Sequence, residues 1–287
     1  MRLHDFNTAF TWQAPQGPYR RITAAQAEAF DRDGFFLLED ALDRATLDGL
    51  LAAIDPIEAA AEKDLREKMG GKYMISRADE ITFTTQLAMR VPAMRDLVTG
   101  KVFQDLCYDL IGPDVRVYWD MAVYKKPDTV AQFPWHQDNG YTFVDPQQYL
   151  TCWVALSDAT LENGCPWVLP GAHKQGTFAH RATAVGLACT DEDEPEGCYP
   201  VPVRAGTIVV MSSLAPHKTG SNLSTGVRKA LVAEFIPDGA GSLRRTETGE
   251  IVRTPCTHIW NMWVLRNGEA PTPENDTVAR EVVGSAS

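Results

Sequence analysis

The sequence predicts a mainly β protein with helical additions: a sandwich or barrel on the C-terminal two-thirds, behind an N-terminal helical layer. Two patterns predict it. Apolar residues recur at helical spacing within the first hundred residues, as at Leu47, Leu50, Leu51 and Ile54. From Val115 the texture changes to short β-rich runs divided by glycine and proline, and the chain carries no internal repeat.

Taken in order, Thr23-Ala24-Ala25-Gln26 reads as a capping box opening a helix that runs to Asp33 and stops at Gly34. Phe35-Phe36-Leu37-Leu38 is a short strand. A second helix carries the Leu47–Ile54 pattern, and Asp55-Pro56 is expected to start another with proline at its first position. Met94 to Leu110 reads as one further helix, stopped by Gly112-Pro113. The strand runs are 115–124, 133–138, 149–156, 166–169, 207–211 and 229–236. Between them lies one acidic run, Asp191-Glu192-Asp193-Glu194-Pro195-Glu196, which fits either a solvated loop or a lid over a cleft.

A chain of 287 residues is long enough for two domains, although a β-barrel with helical additions reaches this size as one. Hydrophobic content of 44% and charged content of 23% allow a large core in a soluble globular protein. A net charge of −11 argues against nucleic acid or an anionic membrane as main partner. The six cysteines show neither a Cys-x-x-Cys pair nor zinc-ribbon spacing, so they read as reduced, mostly buried thiols. The first ten residues lack an apolar signal region, and no run approaches a membrane span. The expectation is a cytoplasmic protein acting on a small molecule. Its oligomeric state is not readable.

His136 and Asp138, in Trp135-His136-Gln137-Asp138, form the only His-x-Asp of the chain. On a strand, residues i and i+2 share a face, so imidazole and carboxylate can grip one metal from one side. Alone, the pair also fits a surface histidine beside an aspartate. Its position favours the metal: it ends a strand run, and Asn139-Gly140 then turns the chain where a barrel rim would lie. A distant second histidine would complete a 2-His-1-carboxylate set, leaving positions open for cosubstrate and O2. His217 is the best anchored, since it follows the apolar run ending at Met211 and Pro216 fixes its approach. His173 lies in a turn that suits a structural role, His4 and His258 have no strand partner, and His180 sits beside Arg181. Arg228 lies far enough beyond His217 to return on a neighbouring strand and offer a guanidinium fork to a dicarboxylate. The apolar residues Ala230 to Ala233 make that a core strand, where an arginine at the mouth needs a partner. Thr219 shares the face of His217 if the segment is extended, and its hydroxyl could serve the same carboxylate. Together these residues point to a non-haem Fe(II) oxygenase consuming 2-oxoglutarate.

The same residues resemble the phytanoyl-CoA dioxygenase family of Fe(II)- and 2-oxoglutarate-dependent oxygenases, over roughly Phe30 to Pro237. The pieces are Phe30-x-x-Asp33-Gly34-Phe35, Tyr124-Lys125-Lys126-Pro127, Trp135-His136-Gln137-Asp138, Asp158-Ala159-Thr160-x-x-Asn163-Gly164-Cys165, Leu169-Pro170-Gly171-x-His173, and His217 with Arg228. The stretch from Asp158 to His173 is most similar to the domain-containing branch of that family. The resemblance implies a double-stranded β-helix (jelly-roll) core at about 115–237, a helical layer at about 20–112 and a C-terminal extension at 238–287, in one domain spanning 1–287. It implies iron held by His136, Asp138 and His217 as the catalytic centre, with the far carboxylate of 2-oxoglutarate on Arg228 and Thr219. Trp153 matches an aromatic position lining the cosubstrate pocket, where a core tryptophan fits nearly as well, and Lys125 matches a basic family position on the strand leading to the metal. The family often carries serine at the position of Thr219. Related halogenases replace the metal carboxylate with a small residue; Asp138 is present, so hydroxylation of an aliphatic C–H with release of succinate and CO2 is the implied reaction. The alternatives are an acyl-CoA 2-hydroxylase of the same mechanism and a jelly-roll metalloprotein that does not use 2-oxoglutarate. Five carboxylates at 191–196, if they wall the mouth, would disfavour a CoA thioester and favour a small or weakly charged substrate.

Overall fold

Thr23 caps the first helix as its sequence requires: its hydroxyl accepts from the Gln26 amide at 3.2 Å, and the Gln26 side chain returns to the Thr23 amide at 3.0 Å. The computed structural model describes residues 1–272. Helix α1 (Ala24–Asp33) ends at Gly34 in the left-handed region, and β1 (Phe35–Leu38) follows.

Helix α2 (Arg44–Lys68) then runs unbroken through Pro56, contrary to the expected restart at Asp55-Pro56. Proline removes one backbone hydrogen bond. Burial of Leu47, Leu50, Ile54 and Leu65 outweighs that loss, and Asp55 is anchored by the Tyr124 hydroxyl at 2.5 Å and Lys229 Nζ at 2.8 Å. The segment after α2 is strand where helix was expected: β2 (Lys72–Tyr73), β3 (Ser76–Arg77) and β4 (Ile81–Thr85). The β-branched and aromatic run Ile81-Thr82-Phe83-Thr84-Thr85 carries that signal.

Three helices follow, α3 (Leu87–Arg90), α4 (Pro92–Val98) and α5 (Lys101–Leu110). The single helix expected from Met94 to Leu110 is thus broken at Gly100. A Cβ there would meet the Asp96 carbonyl oxygen at 2.6 Å, so the close turn between α4 and α5 needs glycine.

The remaining strands are β5 (Val115–Lys125), β6 (Phe133–His136), β7 (Val144–Asp145), β8 (Leu150–Ala155), β9 (Pro166–Val168), β10 (Arg181–Ala182), β11 (Leu187–Ala188), β12 (Tyr199–Pro200), β13 (Ile208–Ser212), β14 (His217–Thr219), β15 (Arg228–Pro237), β16 (Gly241–Arg245), β17 (Ile251–Pro255) and β18 (Trp263–Leu265). The large sheet runs β1-β13-β8-β15-β5-β4-β3-β2, with β18 also on β5, and the small one β12-β9-β14-β6. Both are antiparallel, and their inner faces meet in a core of Phe133 and Val168 from the small sheet with Trp153, Val209, Ala230 and Val232 from the large. This is a double-stranded β-helix. The other face of the large sheet, including Leu150, Cys152, Leu231 and Phe235, is covered by Phe30, Ile54, Met94 and Phe103 of the helical layer. Because the large sheet is buried on both sides, the middle of each strand, Cys152–Ala155 of β8 and Ala230–Ala233 of β15, reads as a continuous apolar run rather than an alternating one.

Gly34 joins the two layers: φ is +84°, and a Cβ would lie 2.6 Å from Nδ1 of the fully buried His173. We expect Gly34→Ala to destabilise the fold by at least about 1–2 kcal/mol, the cost of a left-handed alanine before any clash. A denaturant midpoint unchanged from the parent protein would contradict this.

Candidate metal centre and anion pocket

Antiparallel pairing of β14 with β6 sets His217 directly opposite His136. The register slips between that pair and Thr219–Phe133, leaving one extra residue on β6. This bulge lets Phe133 and His136, three apart, face the same cavity. Strand β6 ends at His136, but Gln137 keeps extended angles (φ −112°, ψ 143°), so alternation carries on to Asp138, the first residue of a 3-10 turn. The predicted face-sharing of His136 and Asp138 therefore holds beyond the hydrogen-bonded strand.

His136, Asp138 and His217 converge, with one ligand atom from each lying within 4.8 Å of the others. Nε2 of His136 and of His217 lie 3.7 and 3.8 Å from Asp138 Oδ1. Both rings are oriented alike. Nδ1 of His136 bonds the Pro134 carbonyl at 2.8 Å, and Nδ1 of His217 bonds the Ala215 carbonyl at 3.0 Å, which directs each Nε2 inward. Burial pushes the His136 imidazole well below the ordinary histidine range, keeping it in the neutral form a metal requires. Thr151 Oγ1 donates to Asp138 Oδ2 at 2.6 Å, leaving Oδ1 for the centre. The donor set fits iron(II) with open positions.

His4, His173, His180 and His258 stay outside this group, as the sequence predicts. His173 is wholly buried, with Nε2 near the Asp31 carbonyl at 3.2 Å and Trp12 edge-on at 4.4 Å. His180 has a supporting part that the sequence did not disclose. Its Nε2 accepts from the Gln137 amide at 2.9 Å, and its ring occupies the space that a side chain at Gly140 would need. Gln137, fully buried between the two ligands, donates to the carbonyls of Gly176 (3.0 Å) and Leu214 (2.6 Å) and accepts from the Phe178 amide (2.6 Å). It ties the loops behind the centre together. Thr151 and Gln137 were missed because nothing in their local sequence marks them; only contacts far along the chain do.

The cavity beside the ligands is lined by Ile81, Phe83, Met121, Val123, Phe133, Trp153 and Val232, with Thr219 and Arg228 at its polar end. Arg228 is completely buried, and Nε and both terminal nitrogens lack any partner. Burial lowers its guanidinium to about 10. The Trp153 ring lies 5.5 Å from it, so Trp153 serves as core and cavity wall together. Lys125 pairs with Arg228 across β5 and β15 but stands outside the lining. Its Nζ donates to the carbonyls of Ala131 (3.0 Å) and Gly220 (2.5 Å). Burial first, and the Arg228 charge second, lower its ammonium to about 7. An orphaned fork in an apolar cavity fits a carboxylate.

The acidic run does not wall the mouth. The Asp193 carbonyl accepts from Trp135 Nε1 (2.8 Å) and Lys218 Nζ (2.7 Å), and Asp191 pairs with Arg181. By alternation Trp135 and Lys218 face away from the ligand side, so this segment is strapped to the outer face of the small sheet. Its position gives no ground for repelling a CoA thioester.

Residues 30–230 match the sequence profile of the phytanoyl-CoA dioxygenase (PhyH) family. A phytanoyl-CoA dioxygenase of Arabidopsis thaliana is 30% identical over 145 residues, which cover 48% of this chain and half of that protein's length. Phytanoyl-CoA dioxygenase domain-containing protein 1 of Bos taurus is 24% identical over 269 residues, covering 77% and 92%. Among solved structures, EvdO2 from Micromonospora carbonacea var. aurantiaca, complexed with 2-oxoglutarate, superposes with a TM-score of 0.63 at 24% identity, covering 80% of this chain and 96% of that one.

Alanine at His136, Asp138 or His217 is expected to remove high-affinity Fe(II) binding, because the described residues offer no fourth His, Cys, Asp or Glu in this cluster. Calorimetric titration with Fe(II) under anaerobic conditions reads this directly. Parent-like iron affinity in His217→Ala would mean that the third ligand lies elsewhere.

Proposed function

This chain belongs to the phytanoyl-CoA dioxygenase family, and from that premise we propose that it is an Fe(II)- and 2-oxoglutarate-dependent dioxygenase hydroxylating an aliphatic C–H bond of a small organic substrate. One observation carries the reading: a 2-His-1-carboxylate cluster shares its cavity with a buried arginine whose nitrogens are all unpaired. A jelly-roll metalloprotein without a dicarboxylate cosubstrate would leave those donors permanently unmet.

His136, Asp138 and His217 would hold the iron, and Thr151 fixes which Asp138 oxygen faces it. Iron so bound, with 2-oxoglutarate and O2, supplies the oxidation: one oxygen atom enters the substrate C–H as hydroxyl, the other enters succinate, and CO2 is lost. Arg228 pairs with the far carboxylate of 2-oxoglutarate, and the Thr219 hydroxyl donates to the same group. Lys125 adds positive charge behind Arg228 and braces the strand ends at Ala131 and Gly220. Phe83, Met121, Val123, Trp153 and Val232 exclude water, which strengthens that charge pair. Nδ1–H of each histidine stays donated to its carbonyl, Pro134 for His136 and Ala215 for His217, throughout.

No helix among the described residues is long and apolar enough to cross a membrane. A cytoplasmic setting is supported by the six free cysteines, five of them buried. The decisive assay is succinate release dependent on both Fe(II) and 2-oxoglutarate, across acyl-CoAs, free acids and polar small molecules. No consumption of 2-oxoglutarate with any of them, and none uncoupled, would overturn the proposal.

Arg228→Ala should weaken 2-oxoglutarate binding by about 2–5 kcal/mol, the cost of truncating one partner of a desolvated charge pair, while leaving Fe(II) affinity near its parent value. Thr219→Ala should cost about 1 kcal/mol, one hydrogen bond. An unchanged 2-oxoglutarate titration in Arg228→Ala rules out this assignment.

The cosubstrate dianion favours the charged form of Lys125, whose ammonium titrates near pH 7 in the free protein. Binding should therefore be tightest below that pH and weaken as the pH rises through it. Anaerobic titrations between pH 6.5 and 9 should show this slope in the parent protein and a flatter one in Lys125→Met. Equal slopes would assign the dependence to another group.

A further inference from the structure

We propose that Glu234, together with Tyr149 and Tyr118, forms a substrate-recognition subsite that takes a protonated amine. The inference deepens the dioxygenase reading and rests on it.

Along β15, alternation divides the side chains. Leu231, Ala233 and Phe235 pack under the helical layer, whereas Ala230 and Val232 belong to the inner core, and Arg228 and Val232 line the cavity. Glu234 continues that inner series. It pairs in register with Thr151, the residue that donates to Asp138. Arg228 and Glu234 thus occupy opposite ends of one strand face, roughly 20 Å apart at about 3.3 Å per residue, with the ligand cluster flanked by both. If the cosubstrate occupies the Arg228 end, the second reactant has the Glu234 end.

Glu234 is only 6% exposed, and among the described residues no hydrogen bond or ion pair reaches its carboxyl. Two phenols share its surroundings. Tyr149 is two residues before Thr151, is 2% exposed, and its hydroxyl has no partner. Tyr118 is the extra residue of a β-bulge opposite Glu234, where the register jumps from Glu234–Trp119 to Phe235–Val117. Bulges of this kind re-aim a side chain. Asn261 Nδ2 holds the bulge by donating to the carbonyls of Val117 (3.0 Å) and Tyr118 (3.1 Å). The two rings meet edge to face at 5.5 Å.

A buried carboxyl and an unpaired phenol here both lack a cationic donor. A protonated amine supplies the missing charge and up to three N–H donors for Glu234 and Tyr149, against aromatic walls that also favour a cation. A carboxylate or phosphate at this end would face Glu234 and Asp138 together.

The test compares hexylamine, hexan-1-ol and hexanoate, which differ only in the head group, by calorimetric binding to the anaerobic protein loaded with Fe(II) and 2-oxoglutarate. The amine should bind about tenfold or more tighter than the alcohol, the scale of a hydrogen bond to a charged group, with hexanoate weakest. Glu234→Gln should erase most of that preference while leaving 2-oxoglutarate affinity unchanged, and Tyr149→Phe should reduce it. Should Glu234→Gln fail to fold, the parent protein and Tyr149→Phe still decide. Alcohol or acid binding as tightly as amine in the parent protein, or the full amine preference surviving either substitution, overturns the proposal. Failure to bind 2-oxoglutarate would instead overturn the dioxygenase reading, and the same head-group comparison with Fe(II) alone would still report on Glu234.

Discussion

A fully buried guanidinium with no partner on any of its nitrogens sets the terms for the rest of this structure. An uncompensated buried charge costs several kcal/mol, and a folded chain tolerates it only when the surrounding core is large enough to offset the cost. Here the offset comes from a sheet buried on both faces, with the helical layer on one side and the small sheet on the other. Lys125, the other buried cation at that end, is already satisfied by two backbone carbonyls. The demand for an anion is therefore concentrated on Arg228.

Rigid pairing keeps that demand at a fixed distance from the ligand cluster. Strand β14 carries both His217 and Thr219, β15 carries Arg228, and β8 carries Thr151 and Trp153. A one-residue slip in any of these would turn its polar residues to the opposite face. Two departures from regular pairing, on β6 before His136 and on β5 at Tyr118, lie on either flank of the centre. Each changes which side chain faces inward at a place where chemistry needs it.

Support behind the ligands is made of backbone carbonyls and one buried amide. The imidazoles are aligned by carbonyls two residues earlier in their own chain, and Gln137 ties two loop segments, at Gly176–Phe178 and at Leu214, to the chain between them. Such contacts leave no periodic trace. Gln137 reads in sequence as an arbitrary residue between two ligands, and His180 as a polar histidine beside an arginine.

The sequence by itself carried the candidate ligand set and the class of the fold. His136, Asp138, His217 and Arg228 are recognisable because their side-chain types and strand context are local properties. The capping box at Thr23, the stop at Gly34 and the β-rich texture after Val115 are local too, and all reappear in the structure. What the tertiary structure decided was everything set by packing between distant segments. Burial against the sheet carries α2 through Pro56, a close approach to the Asp96 carbonyl breaks the helix at Gly100, and pairing with β5 draws Ile81–Thr85 into the large sheet. Packing likewise straps the acidic run to the outside of the small sheet rather than over the cavity, and buries Glu234 beside Asp138. The physical reason is common to all of these: a side chain's polarity is written at its own position, whereas its burial and partners depend on segments tens to hundreds of residues away.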